Sequence, residues 1–472
     1  MAEPVAVVPR TRDLDDLLEA LRQTVAELGL EAYLVGGFVR DRLRGLDLAE
    51  VKDIDLLVVG ADGTEVLRRL AKQFRWAPPQ QFERFGTAQV RGDGFVVEVV
   101  QARAERYDPA SRRPEVRPGT LDEDIWRRDF TVNALCQTLE GLLLDRTGRG
   151  LDDLREGVLR TPLEPRETFG EDPLRMYRAA RFAAQLGFAL APGLLEAMRG
   201  EAHRADILGS KRVLSVERVG EELRRLLVSP HPRKGMEVLR DSGLLGVSIP
   251  ELQAMVGVEQ SGYHRYDVFD HTTHALDASP PDLLTRLGVL FHDVGKPPCH
   301  AIAEDGRHTF HDHPAVGAAM VAAILERLRF SGDEIRDTAA LVRLHLRPIQ
   351  YRAEDFSDSA VRRLIRDAGP LRARLLDVAR ADTIASAFPD VAALDELEER
   401  MARLDKGETL SRRHPPLDGH TLMALAGRPP GPWVGRAQRA LEEAVIDGAI
   451  EPGDAEGARR WLESHRELLH SD

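Results

Sequence analysis

Two aspartates one residue apart, Asp53 and Asp55 in the run DIDLLVV, are the residues of this 472-residue chain best placed to do chemistry. Side chains alternate along a strand, so both carboxylates point to one face. Two carboxylates on one face attract a cation. A hard divalent ion takes oxygen ligands and bridges phosphates, and a pair of ions can clamp the attacking and leaving oxygens of a displacement. By itself a DxD pattern is usually a turn-capping carboxylate beside a solvated one. What precedes it changes the reading. Gly36 and Gly37, separated from Asp53 by fifteen residues, lie between the apolar run Ala32 to Val35 and the helix-spaced VRDRLRG. Glycines let a phosphate approach the backbone, and a helix start offers unpaired N–H groups and the positive end of its dipole. Arg40 and Arg42 add charge nearby.

This Gly-Gly turn followed by DxD resembles the signature of nucleotidyltransferases of the DNA polymerase beta superfamily. The flanking sequence supplies elements to hold it. Leu14, Leu17, Leu18, Leu21, Val25 and Leu28 recur at helical spacing and Gly29 ends the helix. A second helix is expected over Thr64 to Phe74, and the strands FGTAQV and FVVEVVQAR are joined by the turn Gly92-Asp93-Gly94. Glu98 on the latter strand could reach the Asp53/Asp55 metal, although a lone strand carboxylate more often faces solvent or an arginine. Arg103 to Thr120 reads as a polar loop over the site. RRDFTVNAL is expected to be a helix that buries Phe130, Val132 and Leu135 and turns Arg127, Arg128, Asp129 and Asn133 outward; an ion-paired surface helix is the plainer alternative.

From Glu164 onward nearly every segment reads helical. EDPLRMYRAARFAAQLGF opens on acidic residues with Pro173 in the first turn, which places Asp172 and Arg175 on one face. A carboxylate that accepts from an exocyclic amine beside a guanidinium that donates to ring acceptors matches the edges of cytosine and adenine. Guanine and uracil present the opposite polarity. The plainer reading of Asp172 is a helix cap.

Nine of the 15 histidines fall between His264 and His345. His271, the adjacent His292 and Asp293 of FHDVGKP, His313, His345 and Asp382 stand among helical segments and form a metal-ligating set. They resemble the HD superfamily of metal-dependent phosphohydrolases, which implies His271, His292, Asp293 and Asp382 as ligands of a transition ion such as Ni²⁺ or Mn²⁺, with His313 and His345 open to a second metal. His274, His300, His308, His311 and His414 are left as ordinary histidines. The stretch PPGPWVG precedes a helix within a helical C-terminal tail and has packing or a docking surface as its default.

Composition bounds these readings. A hydrophobic content of 43% and the length fit three or four packed domains. With 65 Lys+Arg against 78 Asp+Glu, the net charge of -13 argues against a surface that grips polyanions everywhere, so any nucleic-acid contact must be local. Cys136 and Cys299 can build neither a disulfide framework nor a four-thiolate zinc site, which fits a reducing cytoplasm. MAEPVAVVPR lacks the regions of a signal peptide, and runs such as AVGAAMVAAIL are too short to span a bilayer. A soluble cytoplasmic protein without a membrane partner is expected; the oligomeric state stays open.

Four ordered motifs, GGFVRD with DID, RRDFTVNAL, EDPLRMYRAARFAAQLGF and SVERVGEEL, are together similar to the class II tRNA nucleotidyltransferase and bacterial poly(A) polymerase family over residues 25 to 260. The resemblance implies that Gly36, Gly37 and Arg40 hold a nucleoside triphosphate, and that Asp53 and Asp55 bind catalytic Mg²⁺. It implies that Arg128, Asp129 and Asn133 contact sugar and phosphates, that Asp172 and Arg175, with Arg178 following, read the base, and that Arg218 and Glu222 stabilise a helix as an i,i+4 pair. The implied fold is α+β: a small mixed-sheet head over residues 1–150, then a helical neck (151–262), an HD body (263–390) and a helical tail (391–472). The implied activity is template-independent addition of C, C and A to tRNA 3′ ends from CTP and ATP, with no DNA partner. A poly(A) polymerase or an enzyme adding only CC or only A competes within the class, and the uninterrupted loop after Arg103 favours the complete reaction. An HD phosphohydrolase or RNA-binding protein with an inactive head competes from outside it.

Overall fold

The structure, a computed structural model, describes residues 14–46, 53–82, 87–106, 115–209, 212–260, 266–405, 415–451 and 453–470. Of the polar loop expected over Arg103 to Thr120, residues 107–114 lie outside them, as do His264 and His414, and the described flanks are not loop but antiparallel strands, Arg103–Arg106 paired with Glu115–Pro118. The chain forms two compact units, Met1–Val219 with Val238–Ser248, and Gly220–Glu237 with Ile249–Asp472.

The first unit is built on α1 (Leu14–Glu27), β1 (Glu31–Val35), α2 (Gly36–Leu43), β2 (Asp53–Val59), α3 (Thr64–Phe74), β3 (Gln80–Phe82), β4 (Thr87–Gly92), β5 (Phe95–Gln101), β6 (Arg103–Arg106), β7 (Glu115–Pro118), α4 (Leu121–Trp126), β8 (Cys136–Thr138) and β9 (Leu143–Leu144). Seven strands form a mixed sheet in the order β3-β4-β5-β2-β1-β8-β9. β2 and β5 run parallel, while β1 is antiparallel to β2 and β4 to β5. The β4–β5 hairpin closes on Asp93 and Gly94, both at positive φ, the backbone that an Asp-Gly hairpin turn requires.

Alternation along β2 decides what each sheet face does. Ile54, Leu56 and Val58 enter a core with Leu17 and Leu21 of α1, Leu67 and Leu70 of α3, and Val97 and Val99 of β5. Leu57 points the other way and packs with Leu121 and Ile125 of α4 and with Ala102 and Cys136. Asp53 and Asp55 share the face of Leu57 but lie beyond this cover. One strand face is thus apolar at one end and acidic at the other.

The expected helix over RRDFTVNAL does not form. α4 stops at Trp126, residues 127–130 turn, and a single 3-10 turn covers Thr131–Asn133. Local side chains outcompete the helical ladder. Asp129 Oδ1 accepts the N–H of Phe130 at 2.8 Å, and the N–H of Thr131 donates to the Arg160 carbonyl at 2.8 Å, not to a carbonyl one turn back. Beyond it come α5 (Gly150–Glu156), α6 (Pro165–Glu171) and α7 (Leu174–Leu186), and a short parallel pair, Val158–Leu159 with Ala189–Leu190, interrupts the helical run expected from Glu164 onward.

Among its described residues the second unit has helices and one hairpin, His300–Ile302 with His308–Phe310, which the sequence reading also missed. Its helices start where side chains cap them: Asp267 before Val268–Ala278, Asp282 before Leu283–Phe291, and Ser331 with Glu334 in a capping box before Gly332–Leu344. At Gly295 a Cβ would lie 2.2 Å from the His313 carbonyl oxygen, so only glycine lets the start of His313–Arg327 approach the turn after Asp293. A core of Leu341, Tyr351, Leu364, Leu376, Leu397, Trp433 and Leu441 carries on into the C-terminal helices. Trp433 of the PPGPWVG stretch is buried in it and donates Nε1–H to the Pro429 carbonyl at 3.1 Å, which makes that motif a packing device.

Candidate active site and candidate metal centre

Strand register assembles the acidic cluster. Asp53 and Asp55 pair with Val96 and Glu98 across β2 and β5. Directly paired residues share a sheet face, so Glu98 joins the two aspartates. All three line a cleft of about 600 Å³ whose walls include Gly37, Arg40, Asp41, Gln89, Arg91 and Gln185. Gly36 closes the other side with φ +67; a Cβ there would stand 3.0 Å from Asp55 Oδ2 and 3.7 Å from Arg128 Nη1. Glycine is therefore required twice, for its left-handed backbone and for the room that Asp55 occupies.

Burial, followed by the charge of Glu98, pushes the Asp55 carboxyl up to about 6, against the pull of Arg128. Glu98 is raised by its own burial and by Asp53. Three oxygen donors on one face, with the Asp55 and Glu98 carboxyls raised, fit a hard divalent cation, which would offset their repulsion.

The polar residues expected to bind nucleotide are first bound to one another. Arg40, almost wholly buried, donates to both oxygens of Asp41 at 2.8 and 2.7 Å and to Asn133 Oδ1 at 2.6 Å. Asn133 Nδ2 donates to Asp129 Oδ1 at 3.0 Å, and Arg178 Nε donates to Asp129 Oδ2 at 2.7 Å. One chain of contacts thus links α2 to α7. Burial alone would raise Asp129, but Arg178 and Asn133 overcome it and hold the carboxyl at about 2. Arg128 donates to Asp124 Oδ2 at 3.0 Å and to the Asn133 carbonyl at 3.1 Å, and Arg127 takes the other oxygen of Asp124. Asp124, with no exposed surface, is the anchor that sequence reasoning missed. Its signal was available: it precedes Arg127 by three residues and Arg128 by four.

Asp172 and Arg175 do not lie on one helical face as expected. Asp172 is extended, between α6 and α7; its Oδ1 caps the N–H of Leu174 at 3.0 Å and its Oδ2 accepts from Arg218 at 3.1 Å. Arg175 is buried and donates to Glu171 at 3.0 Å and to the Arg127 carbonyl at 2.6 Å. The two are held by different partners, and the contact of Arg218 with Asp172 was not foreseen.

In the second unit, His271, His292 and Asp382 each offer a ligand atom within 4.8 Å of the others, and so do Asp293, His313 and His345. Asp293 ties the sets together: its Oδ2 is 3.1 Å from His292 Nε2 and its Oδ1 is 3.5 Å from His313 Nε2. His292, His313 and His345 each turn Nδ1 to the carbonyl of the residue three before, Val289, Phe310 and Val342, at 2.7, 2.8 and 2.7 Å. A carbonyl only accepts, so Nδ1 carries the proton and Nε2 keeps a lone pair for a metal. His292 Nε2 is buried without a hydrogen bond of good geometry, the condition of a ligand atom that awaits an ion. Burial lowers His345 to about 3, which keeps it neutral, whereas at His292 burial is outweighed by Asp293 and Asp382, which push it up to about 9, so a metal at its Nε2 would displace a proton. Lys296 Nζ lies 2.7 Å from Asp293 Oδ2 and donates to Gln260; neither residue was singled out from sequence. His274 instead packs on Tyr266 with ring centroids 4.0 Å apart, and His300 contacts His308 at 2.8 Å, so among the described residues these stay outside both sets.

The strained charge of Asp55 makes a stability prediction. With a folded value near 6 against 3.8 for the free group, ionisation costs stability as pH rises through that window and the full cost persists above it. Asp55→Asn should therefore stabilise the metal-free protein by about 3 kcal/mol at pH 8, seen as a higher Tm in EDTA. The gain should shrink toward pH 4, and a gain equal at both pH values would contradict this origin.

Comparison with known proteins places these features. Residues 32–160 match the poly(A) polymerase head domain, 187–255 the probable RNA and SrmB-binding site of polymerase A, and 263–387 the HD domain. The A-adding tRNA nucleotidyltransferase of Deinococcus radiodurans is 35% identical over 455 residues, 92% of this chain and 96% of that protein. The multifunctional CCA protein of Chromobacterium violaceum is 36% identical over 371 residues, 75% of this chain and 84% of that protein. The fold matches that of the Bacillus stearothermophilus CCA-adding enzyme solved with CTP, at a TM-score of 0.67 and 23% identity over 97% of this chain and 98% of that one. Among the described residues no helix is long and apolar enough to cross a membrane. The chain belongs to the tRNA nucleotidyltransferase and poly(A) polymerase family, as a nucleotidyltransferase with an HD domain.

Proposed function

We propose that the protein builds C, C and A on tRNA 3′ ends from CTP and ATP without a template, releasing pyrophosphate, in the cytoplasm. The observation that carries this reading is the convergence of Asp53, Asp55 and Glu98 on one strand face beside the Gly36 turn. These carboxylates would hold Mg²⁺, with Asp53 and Asp55 as the principal ligands. Such an ion, when bound, eases deprotonation of an attacking hydroxyl and offsets charge on the leaving pyrophosphate. The chain itself supplies position. Gly37 and the first turn of α2 offer backbone N–H groups to phosphate, and Arg40, locked by Asp41 and Asn133, presents its charge with little freedom left to lose. Arg128, Asp129, Asn133 and Arg178 border the sugar and phosphates as a preassembled network. Asp172, steadied by Arg218, and Arg175, steadied by Glu171, would read the base edge.

The division we propose is a catalytic head over 1–150, a neck with the base reader over 151–262, an HD domain over 263–390 and a tail over 391–472. A second reading, a split enzyme that adds only A or only CC, is favoured by one observation: the A-adding relative and the CC-adding relative of Thermus thermophilus each align over 92% of this chain, the multifunctional one over 75%. For the HD centre we propose a separate phosphohydrolase acting on phosphomonoesters or 2′,3′-cyclic phosphates. His271, His292, Asp293 and Asp382 would hold Ni²⁺ or Mn²⁺, and Asp293, His313 and His345 a second ion. It could clear a cyclic phosphate from a damaged tRNA end and restore the hydroxyl that the head extends.

tRNAs ending before, within and after CCA, incubated with each labelled triphosphate, should take up CTP and then ATP. Uptake of ATP alone on tRNA ending in CC, or of CTP alone on tRNA lacking CCA, selects the second reading. Asp53→Ala or Asp55→Ala should lower incorporation by about 10³-fold or more while tRNA affinity is retained; a tenfold loss or less removes them from this role.

Asp172→Ala and Arg175→Ala should relax the preference for CTP and ATP over UTP and GTP as well as slow incorporation. Wild-type selectivity in both variants would leave Asp172 a helix cap and Arg175 a structural tie. His292→Ala with Asp293→Ala should abolish hydrolysis of 2′,3′-cyclic AMP in Ni²⁺, Mn²⁺ or Mg²⁺ and spare nucleotide addition to intact tRNA. Absence of any phosphoesterase activity in the wild type would reduce the HD set to a structural role.

A further inference from the structure

The cleft floor is an ordered grid of side chains. Across β2, β5 and β4, one row runs Asp55, Glu98, Gln89 and the next runs Asp53, Val96, Arg91, each set by direct strand pairing. Burial agrees, because Ile54, Val97 and Val90 of the intervening positions all enter the core on the opposite face. The grid is acidic at β2 and β5 and turns basic at its outer edge. Arg91 is exposed there, and no carboxylate among the described residues forms a salt bridge with it; its Nε donates to Gln89 Oε1 at 3.3 Å, which leaves both Nη groups for a ligand. All of these residues except Val90, Val97 and Ile54 line the cleft.

Sheet order gives this edge a direction. β1 and the Gly36–Gly37 turn lie on one side of β2, and β5 and β4 lie on the other. In a phosphoryl-type displacement the attacking and leaving oxygens are roughly in line. If the triphosphate sits at the glycine turn, the attacking 3′ hydroxyl must come from the β5–β4 side. An RNA strand entering there meets three carboxylates, and a cation is needed to offset them. Arg91 lies two inter-strand spacings from Asp53, roughly 10 Å, a span that a nucleotide and its phosphate can bridge.

We propose that Arg91 is the acceptor-strand clamp of the head: its guanidinium grips a backbone phosphate next to the 3′ end being extended, and Gln89 is the positioning residue that orients it. This deepens the nucleotide-addition reading and rests on it for direction. Arginine suits the task because its planar fork binds phosphate oxygens in pairs.

The test uses the full-length protein, Arg91→Ala and Arg91→Lys. Fluorescence anisotropy with a tRNA lacking its 3′ terminal nucleotides, in Mg²⁺ without triphosphate, should show affinity about fivefold weaker for R91A. The slope of log affinity against log salt should be shallower by about 0.7 to 1, and R91K should recover most of the loss. In steady-state addition, KM for tRNA should rise in R91A while KM for CTP and ATP stays within about twofold of wild type. Unchanged tRNA affinity and KM overturn the clamp, and a rise in triphosphate KM alone would move Arg91 to the leaving-group side. A wild type that adds no nucleotide overturns the function reading instead, and the anisotropy arm still decides whether Arg91 holds RNA.

Discussion

Like charges gathered on one strand face repel, and the head is arranged to keep Asp53, Asp55 and Glu98 together despite that. The sheet supplies the restraint. β2 is hydrogen-bonded on both sides, to β1 and to β5, and its alternate residues are locked into a core between the sheet and the helices α1 and α3. Sliding the register by one residue would bury two aspartates and expose Ile54 and Leu56, a cost of several kcal/mol per misplaced group. The apolar side of the strand thus holds the acidic side in a geometry it would not choose.

Around this cluster the protein places fixed countercharge. Asp124 and Asp129 are buried carboxylates that touch no expected metal; each instead engages arginine, Arg127 and Arg128 for the first and Arg178 for the second. A guanidinium tied at one edge loses less freedom when a phosphate arrives at the other, so the ordering cost falls on folding and not on binding. The same logic holds at Arg40, whose Asp41 and Asn133 partners leave it little motion. The HD centre meets its own version of the problem by mixing charge states: burial keeps His345 neutral, while Asp293 and Asp382 overcome burial at His292 and favour its protonated form until a metal takes its place.

Local pattern carried much of this, and its failures have a common cause. α1, α3, the alternation of β2 and the Asp-Gly hairpin were legible because each depends on residues a few positions apart. The six residues of the HD centre were legible from clustering and the HD pair, but not their division: the structure gathers His271, His292 and Asp382 in one group and places Asp293, expected with them, in the other beside His313 and His345. The turn at 127–133 was misread because its spacing is compatible with a helix, and only the capture of the Phe130 N–H by Asp129 and of the Thr131 N–H by Arg160 rules it out. Glu98 could not be promoted from sequence, since its alignment with Asp55 depends on a parallel pairing across a crossover. Asp172 was read correctly as a cap and incorrectly as a helical neighbour of Arg175, because the extended backbone before Pro173 interrupts the helix.

The anchoring of the HD histidines has a consequence for how such a centre drifts over evolutionary time. His292 and His345 satisfy carbonyls, of Val289 and Val342, in the last turns of their helices, groups that a helix end leaves without a backbone partner. The orienting partner is main chain, so replacing Val289 or Val342 by another helix-compatible residue changes no hydrogen-bond acceptor. A centre whose ligand tautomers are held by side chains can lose them through a substitution at a neighbouring position. Here the tautomer is inherited with the helix itself, which frees the surrounding shell to vary in shape and polarity, and with it the substrate, while the imidazoles keep their aim.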